Sequence, residues 1–363
     1  MRFKAKEPTD FFRELKKRVN FYFKENDLSK NSNPRMVLKT IAMMSFYLVP
    51  FGVILLGGFP FWVVMLMYLI MGIGISGIGF SVMHDANHGA YSKNKWVNRI
   101  LGLSLNAIGG SAFTWKVQHN MLHHTFTNIY GIDEDIHDKP ILRLSPHGKK
   151  TGIHRFQHIY AIILYGFATI SWVIFKDFKQ LVHYNKVGYT QKIGYEKTRA
   201  IFGVILTKVL YIAYMVVLPL LVTDYLWWQL LLGILAMHFV AGVVITTIFQ
   251  LAHVVEDAHH PLPNKTGDIE NDWAIHQMYT TANFARKNKL VNWFVGGLNF
   301  QVEHHLFPMI CHVHYREIAP IVKQTAEEYG VPYFEALTLT EAIKSHIKTL
   351  KEFGSGHHHH HAA

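Results

Sequence analysis

The chain has 363 residues, half of them hydrophobic and 17% charged, and its 36 Lys and Arg against 25 Asp and Glu give a formal net charge of +11. The single cysteine, Cys311, excludes an intramolecular disulfide and fits a reducing compartment. The apolar residues stand in blocks of about 20 rather than at an amphipathic period, which argues against a soluble fold; the positive excess suits anionic lipid or a polyanionic substrate head, and no nucleic-acid partner is expected.

In chain order, the first 35 residues are polar and basic, and no cleavable signal peptide is visible. Phe11, Phe12, Leu15, Val19 and Phe23, set among Lys and Arg, predict an amphipathic helix that lies either on a membrane or against the domain. Residues 36–56 and 61–83 follow as two nearly charge-free blocks around a Gly-Gly-Phe-Pro turn. A second pair, 201–222 and 226–252, is separated by Thr-Asp-Tyr. Each block can cross a hydrocarbon core as a helix. The predicted fold is therefore an all-α integral membrane protein with four spans in two hairpins and a helical cap formed by residues 84–200 and 253–353. The short turns carry no Lys or Arg, so the positive-inside rule puts both termini and the cap in the cytoplasm. Two weaker apolar stretches, 97–115 and 156–175, read as interfacial or half-inserted helices. Residues 1–353 read as one domain, and 354–363, with His357–His361, as a purification tag.

Eight histidines lie beside the ends of these blocks. His84 and His88 end the second span, His253 ends the fourth, His119, His123 and His124 lie in the middle segment, and His304 and His305 lie in the tail. His84/His88 and His119/His123 have i,i+4 spacing, while Gln301/His304/His305 and Gln250/His253 have i,i+3 or i,i+4 spacing, so each set shares a helix face. Chance at this histidine frequency gives about one His-His pair. Outside the tag the chain has His123-His124, His259-His260 and His304-His305. The middle pair precedes Pro261, has no i−4 partner and is set aside. His238, deep in the fourth span, reads as a hydrogen-bonded interior residue. A metal transporter would place its ligands near the midplane, where only His238 lies.

Imidazole suits iron, zinc and copper. Eight imidazoles are more than one metal needs, and they suggest two metals at a membrane surface. Iron, unlike zinc, cycles between redox states, which points to oxygen activation and attack on a lipid C–H bond. A fatty-acyl or sphingoid hydroxylase is an alternative on the same cage.

The text HDANHGAYSKN, QHNMLHHTFTNIYGIDEDIH and NWFVGGLNFQVEHHLFP closely resembles the three histidine boxes, HxxxH, HxxxHH and QxxHH, of the membrane fatty acid desaturases. The resemblance runs from the first span to about Val331. It implies two irons, O2 as co-substrate, and a cis double bond introduced into an acyl chain carried on CoA or lipid. It also implies that His84, His88, His119, His123, His124, His304 and His305 are iron ligands, with His253 as a further one. Gln301 stands where many relatives carry histidine, a form that resembles front-end desaturases. No cytochrome b5 domain or His-Pro-Gly-Gly motif appears, so a separate ferredoxin or cytochrome b5 is expected as electron donor, as in bacterial members in an inner membrane. Gln301, Gln250, Asp85 and Asp135 are candidates for water-mediated contact or for orienting the ligands; Asp133, Glu134, Glu256, Asp257 and Glu303 are also available. Trp115, Trp273, Trp293 and Phe294 are candidates to line an acyl tunnel, and Lys93, Lys95 and Arg99 to meet a phosphate-bearing headgroup.

Overall fold

A computed structural model describes residues 1–5, 9–137 and 139–356; the tag histidines lie outside the described residues. The fold is almost wholly helical. The main helices are α1 (Phe11–Glu25), α2 (Pro34–Leu56), α3 (Phe61–His88), α4 (Lys197–Val222), α5 (Trp227–Gln250), α6 (Gln301–Leu306), α7 (Tyr315–Glu328) and α8 (Leu339–Ser355). Four of them, α2 to α5, are long and apolar enough to cross a membrane, and their bounds follow the apolar blocks. Among the described residues the only sheet is a parallel pair, β1 (Ala282–Phe284) with β2 (Phe334–Ala336), in the register Ala282↔Phe334.

The chain folds as two compact units. One comprises Asn33–Val117 and Ile162–Thr247 and holds the apolar helices. Small residues let their backbones meet: a Cβ on Gly72 would lie 2.6 Å from the Met237 carbonyl oxygen, and one on Gly74 would lie 2.8 Å from the Phe46 backbone. The stretch 97–115 is broken into short helices, with Gly109 at φ +94° between two of them. Its end is tied down by a buried ion pair. The Asp177 carboxylate accepts from Ser111 N (3.0 Å), Trp172 Nε1 (2.9 Å), Thr114 Oγ1 and Lys208 Nζ (2.6 Å), and Lys208 also donates to the Gly109 carbonyl (2.6 Å).

The other unit comprises Met1–Ser32, Gln118–Ala161 and Ile248–Ala363. The apolar face of α1 is spent inside it. Phe11, Leu15, Val19 and Phe23 recur every four residues and are buried against Ile318, Ala319 and Val322 of α7 and against Met278. Burying each such side chain contributes about 1.5–3 kcal/mol. Of the two readings of this helix, packing on the protein is the one observed.

Candidate metal centre

Two of the eight histidines belong to the unit that holds the spans. His84 and His88 form the last turn of α3, directly after a π-helical stretch at Ile78–Met83. Their ring centroids are 4.8 Å apart, and the Trp115 ring meets them edge-on at 5.7 and 5.6 Å. Trp115 is therefore packed on these histidines. Asp85 Oδ1 is 3.7 Å from His84 Nδ1, beyond hydrogen-bond range.

The other six lie in the second unit. His119 and His123 sit in a segment, Lys116–His123, that is π-helical rather than α-helical. Such stretches are rare and frequent at functional sites. The four-residue spacing still stacks the two rings, with centroids 5.3 Å apart at 20°. His124 lies against the His305 ring at 4.4 Å, and its Nε2 is 3.2 Å from His119 Nε2. His304 meets the His124 ring at 4.6 Å. His123, His253 and His305 each offer a ring nitrogen, all within 4.8 Å of one another, and His119, His123 and Asp135 form an overlapping group.

Four of the six rings are held by a partner on Nδ1. His123 Nδ1 lies 3.0 Å from Asp133 Oδ2 and 3.4 Å from Asp135 Oδ2. Asp133 is itself held by the backbone N–H of Asn128 (2.8 Å) and of Asp135 (3.0 Å). His305 Nδ1 is 2.7 Å from Gln277 Oε1, and His253 Nδ1 is 3.2 Å from the Thr280 carbonyl. His304 Nδ1 is 3.2 Å from the Tyr315 hydroxyl. A carbonyl oxygen can only accept, so His253 and His305 carry the proton on Nδ1 and present a lone pair on Nε2. Gln301 lies between these lone pairs, its Nε2 3.0 Å from His253 Nε2 and 3.3 Å from His305 Nε2. Among the described residues, His123 Nε2 is buried with no hydrogen-bond partner.

The electrostatics favour a neutral imidazole at one ring and an ion pair at another. Burial, with His123 nearby, pushes His253 down to about 3. Burial alone would lower His123 too, but the charge and hydrogen bond of Asp133, helped by Asp135, raise it above its ordinary value. Burial opposes ionisation of Asp133, yet His123 and the two backbone N–H groups hold it below the usual carboxylate range. Anchored imidazoles with Nε2 presented inward are a donor set that suits a borderline transition metal such as iron or zinc.

The remaining expected residues fall in different places. Gln250 Nε2 makes a long contact, 3.4 Å, to the Asp135 carbonyl, and Gln118 donates to the Asp135 side chain. Glu303 is buried and its proton is held more tightly than usual by desolvation, but its carboxylate is taken by Tyr333 (2.7 Å) and Asn283 (2.9 Å). Glu256 pairs with Lys348. Trp273 donates from Nε1 to the His124 carbonyl (2.9 Å), whereas Trp293 is exposed. Residues not singled out from sequence are Gln277, Thr280, Tyr315, Thr127, whose hydroxyl reaches Gln277 Oε1 (2.8 Å), and Asn128, whose Nδ2 donates to the His253 carbonyl (2.9 Å). Asn128 adopts φ +57°, a conformation Asn tolerates better than most residues.

A family model described as fatty acid desaturase matches residues 60–337. The chain is 38% identical over 358 residues to the sn-1 linoleoyl-lipid 6-desaturase of Synechocystis, covering 97% of this chain and 98% of that protein. It is 36% identical over 342 residues to the protein of the same name from Arthrospira platensis, covering 94% and 92%. To the acyl-lipid (8-3)-desaturase of Physcomitrium patens it is 34% identical over 355 residues, covering 96% and 72%.

Proposed function

The chain belongs to the fatty acid desaturase family, O2-dependent oxidoreductases, and we propose that it is a front-end acyl-lipid desaturase whose eight box and loop histidines bind two irons. The observation that carries the reading is the shared anchoring of His123, His253 and His305 through Nδ1, which makes Nε2 the atom each would offer a metal, at His253 and His305 in place of the Gln301 contact. His84 and His88 join the ligand set on the strength of the HxxxH spacing and of family membership. When bound, the metal supplies oxidation of two adjacent methylenes with dioxygen and two electrons. The protein's own part is to fix the rings, keep them neutral where burial demands it, and exclude water from a site whose histidines are almost all buried.

Front-end regiochemistry is supported by Gln301 at the opening of the third box and by the relatives named as 6- and (8-3)-desaturases. The substrate is accordingly an acyl chain on a membrane lipid, and the reductant is a one-electron carrier such as ferredoxin or cytochrome b5. The four spans form two hairpins, α2 with α3 and α4 with α5. The histidine-bearing segments and both termini face the cytoplasm, a placement supported by the Lys- and Arg-rich N-terminal segment and the charge-free turns. A bacterial inner membrane is the proposed location.

The test is expression in a host supplied with linoleoyl lipid, with fatty acid profiles read by mass spectrometry and iron counted per chain. Loss of two hydrogens at a position nearer the carboxyl end than the existing double bonds is expected, with two irons bound. Gain of an oxygen atom would assign a hydroxylase instead. His88→Ala, His123→Ala and His304→Ala should each abolish product while the protein still accumulates; retained activity would remove that histidine from the ligand set.

A further inference from the structure

Helix α8 begins beyond residue 337, where the family match ends. It nevertheless reaches the loop that carries His253. That loop, residues 251–259, has no regular helix or strand, so its backbone acceptors and donors depend on outside partners. From α8, the buried His346 brings Nδ1 to 2.7 Å from the carbonyl oxygen of Val254, the residue after His253. Ser345 Oγ accepts from the backbone N–H of Glu256 (3.0 Å), and Lys348 pairs with the Glu256 carboxylate. Ala342, with Leu339 and Ile343, packs on Leu251 and Ala252. Elsewhere on the loop, Asn128 Nδ2 donates to the carbonyls of His253 (2.9 Å) and His259 (3.1 Å), and Ala282 N donates to the Ala252 carbonyl (2.9 Å).

We infer that α8 is a strap that fixes the backbone around His253, and that His346 is a positioning residue acting through the Val254 carbonyl. The inference rests on the reading of His253 as a metal ligand. A Val254 carbonyl accepting from His346 cannot rotate freely, and fixing the 254–255 peptide plane limits the rotation of Val254, the residue joined directly to His253. Ligand geometry is tight, to within about half an ångström, so a loop with no secondary structure of its own needs such a hold. Two bonds and an ion pair from one helix, on loop residues Val254 and Glu256, are a denser attachment than a helix packing only for burial would make.

The test uses the full chain in detergent and two readouts besides turnover: iron retention against a chelator, and hydrogen exchange of residues 251–259 in metal-free protein. His346→Phe removes the donor and keeps a flat ring, whereas His346→Asn returns a side-chain N–H near the Nδ1 position. We expect His346→Phe to weaken iron retention about 10-fold or more, in the range found for partners of metal-bound residues, and to speed exchange across the loop. His346→Asn should recover most of both. Thr349→Val, which alters only a bond within α8 to the Ser345 carbonyl, should change neither. Wild-type retention and exchange in His346→Phe would overturn the strap, as would a folded His346→Asn no better than His346→Phe. If His346→Phe does not fold, Ser345→Ala with Lys348→Ala serves instead, and unchanged exchange at residues 254–257 would equally overturn it. Failure of the ligand reading has a separate signature: His253→Ala would keep the wild-type iron content while the exchange results stood.

Discussion

Asp133 and His123 meet at 3.0 Å in a fully buried carboxylate–imidazole pair, and this contact sets which nitrogen of His123 faces the other histidines. Asp133→Asn keeps the shape and removes the charge. Iron retention is expected to fall about 10- to 100-fold, the usual effect of losing a ligand's orienting partner. The pH dependence has a definite sign in metal-free protein. His123 is raised, so its contribution is complete below about 6.5 and is lost as pH rises through its folded value. Asp133 is depressed, so its contribution is present above about 4 and is lost as pH falls through its folded value. The stability difference between wild type and Asp133→Asn should therefore be largest between about pH 4 and 6.5, as read from thermal unfolding with iron removed. A difference that is flat with pH would contradict the ion pair.

Gln277 serves His305 as Asp133 serves His123, but without charge. Its Oε1 takes both the His305 Nδ1 contact (2.7 Å) and the Thr127 hydroxyl (2.8 Å). Gln277→Leu fills the space and takes from His305 Nδ1 its short acceptor; the Thr127 hydroxyl keeps the His123 carbonyl (2.7 Å) and lies 3.3 Å from His305 Nδ1, so the cost is about 1–3 kcal/mol for the one buried group. The expected outcome is lower thermal stability together with iron loss comparable to that of Asp133→Asn. Iron binding equal to wild type would show that His305 needs no such anchor.

Gln301 contacts the Nε2 edges of His253 and His305 rather than their anchored Nδ1 sides. Removing it leaves His123, His253 and His305 and all their Nδ1 partners in place. Gln301→Ala is accordingly expected to change iron content by less than His253→Ala does, while lowering turnover. Iron loss equal to that of His253→Ala would make Gln301 a ligand in its own right.

Two further buried rings should make the protein acid-labile. Burial pushes His276 and His346 each down to about 4, with backbone carbonyls of Thr127 and Val254 as their partners. A depressed histidine binds more protons unfolded than folded between about 4 and 6.5, so stability falls as pH is lowered through that window, by on the order of 3 kcal/mol per ring at most. His276→Gln should flatten the decline in melting temperature over that range. An unchanged slope would mean that His276 is protonated only with unfolding driven elsewhere.

The spans were legible because a bilayer demands about 20 apolar residues in a row, a signal that needs no tertiary context. The histidine boxes were legible because each lies within six residues of sequence. Their supports were not, since Gln277 lies far from His305 in sequence and Thr280 far from His253, and nothing local marks a Gln or a backbone carbonyl as a partner. The π-helical segment at Lys116–His123 was invisible for a related reason: its residues have ordinary helical spacing, and only the surroundings decide the turn width. For α1 the apolar spacing predicted an amphipathic helix, but both a membrane and a protein surface accept the same face; Val322 and Met278 decide the matter.

Lys208 and Asp177 pose the sharpest test of the span-bearing unit. Lys208 lies within the apolar stretch 201–222 of α4, and its ammonium is buried with bonds to Asp177 (2.6 Å) and to the Gly109 carbonyl (2.6 Å). Asp177 in turn holds Ser111 and Thr114, which lead into Trp115 against His84 and His88. Truncating one partner leaves the other as an uncompensated buried charge, a cost of about 3–5 kcal/mol. Replacing both by apolar groups removes that penalty. Lys208→Met and Asp177→Leu should each lower the melting temperature strongly, and the double variant should melt above either single one. Because the double variant still lacks the carboxylate that ties Ser111 and Thr114, its iron retention should stay below wild type even where its stability recovers. Additive losses in the double variant would mean that the two charges are not a pair. Full recovery of both stability and iron would mean that the pair has no part in placing Trp115.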